Sequence, residues 1–391
     1  MSDRVVHIVG AGPAGLVAAI NLARAGFEAI VYERNDDVGL RFNGDFQGLE
    51  NWSTEEDVRE FLGSIGVSIN FRCEPYSSGE FYGPRLRKIT IQTSRPLFYL
   101  LERGTNEWSL DQGLKRQALD EGVEFRWNDN VQKANLGTVI VGTGPKAADA
   151  IAKGVVFETS HPDACVGFMD DRIAPKAYAY LLVSGGKATF ATCMFEDFQH
   201  ERSYFVRALE TMQRVVNIDI RQPREFGGYV NFFFRPSATK DGRILYVGEN
   251  AGFQDALWGF GMRHAMFSGY LAAQSVVTGA SYDYLCKRGL TPYLQASLAN
   301  RWLFAHLGNY GYERFLSRIE KSDDVVAQLR KHYRPSWSKR MLFQVAKRWY
   351  HTRLVDKQCM HEHCDCIWCR HGKDAHQHEV DYASCELAGA K

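Results

Sequence analysis

The stretch VVHIVGAGPAGLVAAINLARAGFEAIVYE, from Val5 to Glu33, constrains the fold of this chain more than any other. An apolar strand, Val5–Val9, runs into Gly10-x-Gly12-x-x-Gly15. A helix follows from Pro13 to Ala25, and a second strand, Ala29–Tyr32, ends on Glu33. Gly10 permits the tight turn, Gly12 lets a pyrophosphate approach the helix N-terminus beside Pro13 and Ala14, and Gly15 lets helix and strand pack closely. Glu33, about 20 residues downstream, is placed to accept ribose hydroxyls. An acid there disfavours a 2′-phosphate, so FAD or NAD is expected before NADP. A bare GxGxxG is weak evidence, but between two strands and with the acid at this distance it predicts a dinucleotide site.

The chain has 391 residues, enough for two cores and an extension. A net charge of +1 with 45% hydrophobic residues predicts an ordinary globular protein and excludes a nucleic-acid partner. With a strand begun within the first residues and no apolar run of spanning length, neither a secretory signal nor a transmembrane helix is expected. The expected location is cytoplasmic, with peripheral contact at the inner membrane face as an option. Of nine cysteines, Cys73, Cys165, Cys193 and Cys286 are scattered and read as core thiols, whereas five fall between Cys359 and Cys385.

Further along, Asp36–Gly48 reads as a Gly-rich loop that brings backbone, with Arg34 and Arg41, against the cofactor. Ser53–Gly66 has the pattern of an amphipathic helix, and Ser68–Thr93 that of strands in a second sheet. Leu110, Leu114 and Ala118 mark one face of a helix over Leu110–Glu121, and Val123–Arg126 reads as a short strand. Thr138–Ala152 imitates a second nucleotide motif, with Gly142-x-Gly144 after a strand and at the start of an expected helix. The next strand, from Val155, comes about ten residues after the glycines, where a complete crossover to an acid needs about twenty. The strand before the glycines is therefore expected to return to the first sheet, with its Gly turn, Gly142, facing the same cofactor. Ala174–Phe195 alternates around Gly185-Gly186 as a hairpin, and a strand at Gly228–Phe234 extends an antiparallel sheet over about 160–235. The many aromatics of this region read either as packed core or as the lining of an apolar tunnel. Finally a strand at Ile244–Val247 leads through Gly248-Glu249 and a Gly-rich loop to a long helix from near Gly261. Such a turn presents backbone amides to an anionic or electron-rich group.

The order of Gly10-x-Gly12-x-x-Gly15, a mid-chain Arg103 ahead of Leu110-Asp-Gln-Gly-Leu114, and the late Gly-Glu segment resembles the flavoprotein fold shared by aromatic hydroxylases and geranylgeranyl reductases. The late segment is more similar to the reductases. It carries Gly248-Glu249-Asn250-Ala251-Gly252-Phe253, Gly259-x-Gly261-Met262 and Ser268-Gly269-x-x-Ala272-Ala273, and the hydroxylases usually have His where Gly252 stands. Pro175-x-x-Tyr178-x-Tyr180-x-Leu182-Val183 partly matches the reductases' substrate-domain signature. The resemblance covers about residues 1–280. It implies FAD held by Gly10, Gly12, Pro13, Ala14, Gly15, Glu33, Arg34, Arg41, Arg103, Gly142, Gly248, Glu249, Gly259, Gly261 and Met262. It also implies Tyr178 or Tyr180, or water in the flavin's surroundings, as proton donor in reduction of an alkene. His264 reads as structural. The family's Cys-Gly pair is Asn43-Gly44 here, so no thiol stands at that place, and Glu249, Ala256, Phe260, Tyr180, Leu182 and Val183 all depart from the pattern.

The implied fold class is α/β. A Rossmann-like FAD-binding domain (1–70, 98–158 and 240–285) carries an inserted antiparallel β-sheet substrate domain (71–97 and 159–239), followed by a C-terminal helical region (286–358) and a Cys/His-rich tail (359–391). Arg330–Lys357 holds nine Lys/Arg against one acid, and Ser338–Leu354 places Met341, Leu342, Val345, Ala346 and Trp349 on one helical face. Such a helix either lies at an anionic membrane surface or packs on the body of the protein. In the tail, Cys359, Cys364, Cys366 and Cys369, with His361, His363 or His371 as substitutes, suit a closed tetrahedral zinc site. An iron–sulfur cluster is the alternative, and a redox-active or disordered tail a third.

The activity so implied is FAD-dependent reduction of carbon–carbon double bonds in a hydrophobic, isoprenoid or lipid substrate, with NAD(P)H, an electron-donor protein or another reductant as electron source. The alternative is a flavin monooxygenase of an aromatic or lipid substrate. A third reading is a docking subunit dependent on the metal of its tail.

Overall fold

A computed structural model describes residues 4–131, 137–145, 148–232 and 237–349, together with 366, 367 and 369. Its first layer is a six-stranded sheet ordered Thr239–Lys240, Ile244–Tyr246, Thr138–Val141, Val5–Val9, Glu28–Glu33, Glu124–Trp127. All pairings are parallel except the short edge strand Thr239–Lys240. Near-continuous apolar runs such as Thr138–Val141 suit a sheet covered on both faces. The helices Pro13–Arg24, Leu110–Asp120 and Met262–Thr278 share its hydrophobic core, where Leu16, Val17, Ile20, Leu110, Leu114, Ala118 and Met266 are buried. The helix Pro13–Arg24 packs on Met262–Thr278 so closely that a Cβ on Gly269 would lie 2.0 Å from the Ala14 carbonyl oxygen.

The strand after Thr138–Val141 is Ala150–Glu158, and it belongs to a second sheet. Among the described residues no helix follows Gly142-Thr-Gly144, so the segment is a sheet-to-sheet crossing, and the apparent helix start is corrected. The second sheet has seven strands in the order Arg221–Val230, Ala150–Glu158, Lys187–Met194, Ala179–Ser184, Ala164–Phe168, Ser78–Tyr82, Lys88–Gln92. It is antiparallel except where Ala164–Phe168 meets Ser78–Tyr82. The hairpin around Gly185-Gly186 forms as its alternation predicts. The strand expected at Gly228–Phe234 instead runs Arg221–Val230, with charged residues on an edge that needs no burial. Ala150–Glu158 thus joins the sheet that the sequence division began at 159. The helix Glu201–Val215 packs on this sheet through Phe205, Ala208 and Met212.

A three-stranded antiparallel sheet, Phe46–Glu50, Phe98–Glu102 and Glu74–Tyr76, lies beside the other two. It takes the end of the expected Gly-rich loop and one strand from Ser68–Thr93. The helix expected over Ser53–Gly66 is shorter, Val58–Ser64, because Asp57 caps it by accepting from the Arg59 amide.

The C-terminal helices are Tyr282–Gly289, Thr291–Glu320, Val325–Tyr333 and Trp337–Trp349. The longest is broken at Gly308, with φ 50° and ψ −138°, a conformation open in practice only to glycine. Trp337–Trp349 packs inward through Phe343 and Ala346, so the apolar face read from sequence is divided: Ala346 is buried, while Met341 and Val345 are exposed. The Trp349 side chain lies outside the described residues. No helix among them is long and apolar enough to cross a membrane.

The close helix crossing gives a stability prediction. Gly269→Val should cost about 3 kcal/mol or more, because backbone must separate, whereas Gly279→Ala, at a helix C-terminus with nothing within 4 Å, should cost about 1 kcal/mol from its positive φ alone. Equilibrium urea unfolding of the two variants measures the difference.

Candidate functional site

The turn between Val9 and Pro13 is set by contact between backbones. Gly10 has φ 102°, and a Cβ there would lie 2.6 Å from the Gly142 carbonyl oxygen. On Gly15 it would lie 2.1 Å from the Gly10 carbonyl oxygen. The first strand, the helix and the strand Thr138–Val141 therefore converge at three glycines. Gly12 is the N-cap of the helix, with no side-chain cap, and Pro13 opens its first turn. The amides at this helix end have no partner inside the helix and face a groove suited to an anion.

Glu33 ends the second strand beside this turn. One carboxylate oxygen accepts from the Ala11 amide at 2.9 Å, and the other from the Asn35 amide and side chain at 3.1 and 2.7 Å. The carboxylate is thus oriented at the rim of the groove. On the facing side Arg103 is buried and makes a two-pronged pair with Asp111, Nε to Oδ2 at 2.9 Å and Nη2 to Oδ1 at 2.8 Å. The Phe42 ring lies 3.9 Å from its guanidinium carbon. Arg41 spans from Glu249, at 3.2 Å, to the Tyr229 carbonyl, at 2.5 Å. Burial pushes the Glu249 carboxyl up, against the opposing pull of Arg41 and Arg103, and its Oε1 is buried with no hydrogen-bond partner. The Gly248 amide is fixed by the Ser268 hydroxyl at 2.8 Å, and Asn250 reaches Thr143 at 2.8 Å.

Most of these groups border one cavity of about 560 Å³. Gly10, Gly12, Pro13, Ala14, Glu33, Arg34, Arg41, Arg103, Gly142, Gly248, Glu249, Gly259, Gly261 and Met262 line it. Of the residues expected at the cofactor, Gly15 alone does not, and it acts beneath the lining by packing. The cavity continues past this groove into an apolar compartment walled by Trp52, Phe98, Met169, Tyr178, Tyr180, Leu182, Phe195, Trp258 and Phe260. Phe315, Leu316, Ile319 and Leu329 close it from the C-terminal helices. None of the lining residues from the seven-stranded sheet or those helices carries a formal charge. The thiols of Cys165 and Cys193 also line it, and burial pushes both up to about 12, so they stay neutral. The aromatics divide accordingly: Phe168 and Phe190 are sheet core, while Tyr178, Tyr180 and Phe195 face the compartment.

The two expected donors are not equivalent. The Tyr178 hydroxyl donates to the Trp258 carbonyl at 2.6 Å. No hydrogen bond within the described protein engages the Tyr180 hydroxyl. Burial raises both phenols well above their usual range, so both keep their protons at neutral pH. His264 does not line the cavity; burial lowers it to about 4, which fits a neutral structural role.

The element that sequence reasoning missed is Asp255. Buried below the loop Ala256–Phe260, it accepts from the amides of Leu257 and Trp258 at 3.0 and 2.9 Å, from the Tyr333 hydroxyl at 3.0 Å, and from the Ser297 hydroxyl. Ser297 also accepts from the Ala256 amide at 2.8 Å. The loop bearing Gly259 and Gly261 is therefore held from the C-terminal helices, by partners that no local pattern announces. Arg301, fully buried on the same helix, donates to the Leu257 carbonyl at 3.1 Å and stacks over Phe195.

Of the proposed metal ligands, Cys359 and Cys364 lie outside the described residues. Cys366 and Cys369 are buried against Ile151, Met194 and Phe198, and the Ile367 amide donates to Glu201 at 2.7 Å. Among the described residues no group of three or more His, Cys, Asp or Glu is arranged for a metal ion.

Comparison with known proteins places this geometry. The family model for NAD(P)-binding Rossmann-like domains matches residues 8–46. Digeranylgeranylglycerophospholipid reductase 2 of Methanothermobacter thermautotrophicus is 24% identical, over 81% of this chain and 92% of its own. Reductase 1 of Methanopyrus kandleri is 29% identical over 44% of this chain and 49% of its own. A geranylgeranyl bacteriochlorophyll reductase-like protein of Thermoplasma acidophilum superposes with TM-score 0.66 at 18% identity, covering 91% of this chain and 98% of that one. The flavin-dependent brominase Bmp2 superposes with TM-score 0.64 at 13% identity, covering 88% and 98%. At these identities the solved structures establish a shared fold, and the reductase resemblance read from the motifs extends over most of the chain.

Two measurements follow from the site. Asp255→Ala removes the carboxylate that accepts from three amides and two hydroxyls and should cost about 3 kcal/mol in denaturant unfolding. Glu50, buried near Arg263 and Asp255, is pushed up to about 7 from 4.5. A carboxyl raised on folding binds its proton more tightly in the native state, so its contribution favours the folded protein below pH 4.5 and falls as pH rises to about 7. Melting temperatures across that window should therefore decline in the native protein relative to Glu50→Gln.

Proposed function

We propose that this FAD-dependent oxidoreductase, similar over most of its length to geranylgeranyl reductases, reduces carbon–carbon double bonds of an uncharged apolar chain, isoprenoid or lipid in character. The observation that carries this reading is the single cavity, in which a groove with the motifs of a dinucleotide site opens directly into a compartment walled by aromatic and aliphatic side chains.

The groove fits FAD. The converging glycines leave space for a pyrophosphate at the helix N-terminus, Glu33 supplies a ribose acceptor, and the Glu249 Oε1 is an acceptor without a partner that a hydroxyl of the ribityl chain would satisfy. Bound reduced FAD supplies a hydride. The chain's own residues have the remaining tasks. The apolar wall excludes water and holds an unactivated alkene, which offers no carbonyl to polarise. Tyr180, with a protonated and unengaged hydroxyl in that wall, is the better placed proton donor. Tyr178, bound to the Trp258 carbonyl, orients the loop instead. No second dinucleotide motif completes itself in the chain, so NAD(P)H or a protein donor would act transiently. Oxygen insertion into an aromatic or lipid substrate is the competing reaction. For the tail, thiolate binding of zinc, or of an iron–sulfur cluster, rests on the cysteine spacing, and metal analysis of the purified chain is its test.

Mass spectrometry of an isoprenoid lipid extract, incubated anaerobically with the protein and chemically reduced flavin, should show products heavier by two hydrogens or multiples. Products heavier by one oxygen, formed only in air, would overturn the reductase reading. Tyr180→Phe should lower turnover on the order of a hundredfold with flavin absorbance retained, whereas Tyr178→Phe should lower it much less.

A further inference from the structure

The helix Trp337–Trp349 turns one face inward and leaves another uncovered. Phe343 and Ala346 are buried with Leu298 and Ala299 of the long helix. Trp337, Met341 and Val345 are 77%, 54% and 50% exposed. Their spacing of four places them in one row along two turns, about 12 Å of helix. Single exposed apolar residues are ordinary, but an aligned row led by a tryptophan is the pattern of a contact surface.

The charge around the row narrows what can cover it. Arg340 and Arg348 are exposed on the same helix, and Lys331 and Arg334 at the end of the helix before it. From Val325 to Trp349 the sequence has no Asp or Glu. A second copy of the chain meeting this face about a two-fold axis would bring like charges together. An anionic bilayer offers both an apolar interior for the row and negative headgroups for its flanks.

We propose that the row Trp337, Met341 and Val345, with Arg340 and Arg348, docks this protein on the surface of an anionic lipid bilayer. The helix lies in the plane of the interface, the row enters the acyl boundary, and the arginines remain among the headgroups. The proposal deepens the reading of an apolar substrate, because the helix just before the row contributes Leu329 to the cavity wall. Docking itself requires no turnover, so it is tested separately from the chemistry.

The experiment is flotation of the full chain, flavin-loaded and without substrate, with vesicles of phosphatidylcholine alone or of phosphatidylcholine with phosphatidylglycerol. The native protein should float with the anionic vesicles and be released by high salt. The double variants Met341→Glu/Val345→Glu and Arg340→Glu/Arg348→Glu should each lower the bound fraction on the order of tenfold, with melting temperature and flavin absorbance unchanged. No flotation of the native protein, or equal flotation of native and variants, overturns the proposal. So does a change from dimer to monomer in the first variant during size-exclusion chromatography, which would assign the row to a second copy. Turnover of a short, dispersible alkene by a variant that no longer floats leaves the reductase reading intact, so the two readings fail independently.

Discussion

Everything in the cofactor half depends on three backbones approaching closer than any side chain permits. Gly10, Gly15 and Gly142 bring strand, helix and neighbouring strand to one point, and Gly269 lets a second helix close on the first from beyond. The closeness turns the helix N-terminus toward the groove and sets the height of Glu33 and Gly248 above it. A methyl group on Gly10, Gly15 or Gly269 would force backbone apart, since interiors at native density have no slack to absorb it.

The groove's other wall depends on a different kind of bond. Asp255 collects three amides and two hydroxyls, and two of its five partners, Ser297 and Tyr333, come from C-terminal helices. Burying a carboxylate is costly unless its lone pairs are filled, and here they are filled by the groups that fix the loop. The C-terminal region is thereby part of the site. It anchors the flavin-side loop at one end and closes the apolar compartment at the other.

The cofactor half was legible in sequence because its signals are local. Turn glycines, an acid at a set distance and the late Gly-Glu segment each lie within a few residues of the structure they specify. The strand Ala150–Glu158 fell on the FAD-binding side of the sequence division because its pairing partners, Lys187–Met194 and Arg221–Val230, are 29 or more residues away and alternation does not name a partner. The helix imitation after Gly142 failed for a related reason, since the chain there crosses between sheets. The Asp255 network was invisible because Ser297 and Tyr333 are 42 and 78 residues beyond their acceptor. On Trp337–Trp349 periodicity found the amphipathic helix but not which part of its apolar face turns inward: Leu342 and Ala346 do, Met341 and Val345 do not. The packing partners, Leu298 and Ala299, decide which side turns inward.

The break at Gly308 divides the long helix into two pieces with separate duties. Ser297 and Arg301 precede it and belong to the loop anchor; Phe315, Leu316 and Ile319 follow it and belong to the wall of the apolar compartment. A continuous rod would pass any adjustment at one end to the other. With the rod interrupted, bulk can be gained or lost in the wall without tilting the anchor. The interruption thus separates the part of the cavity that sets its shape from the part that holds the loop bearing Gly259 and Gly261.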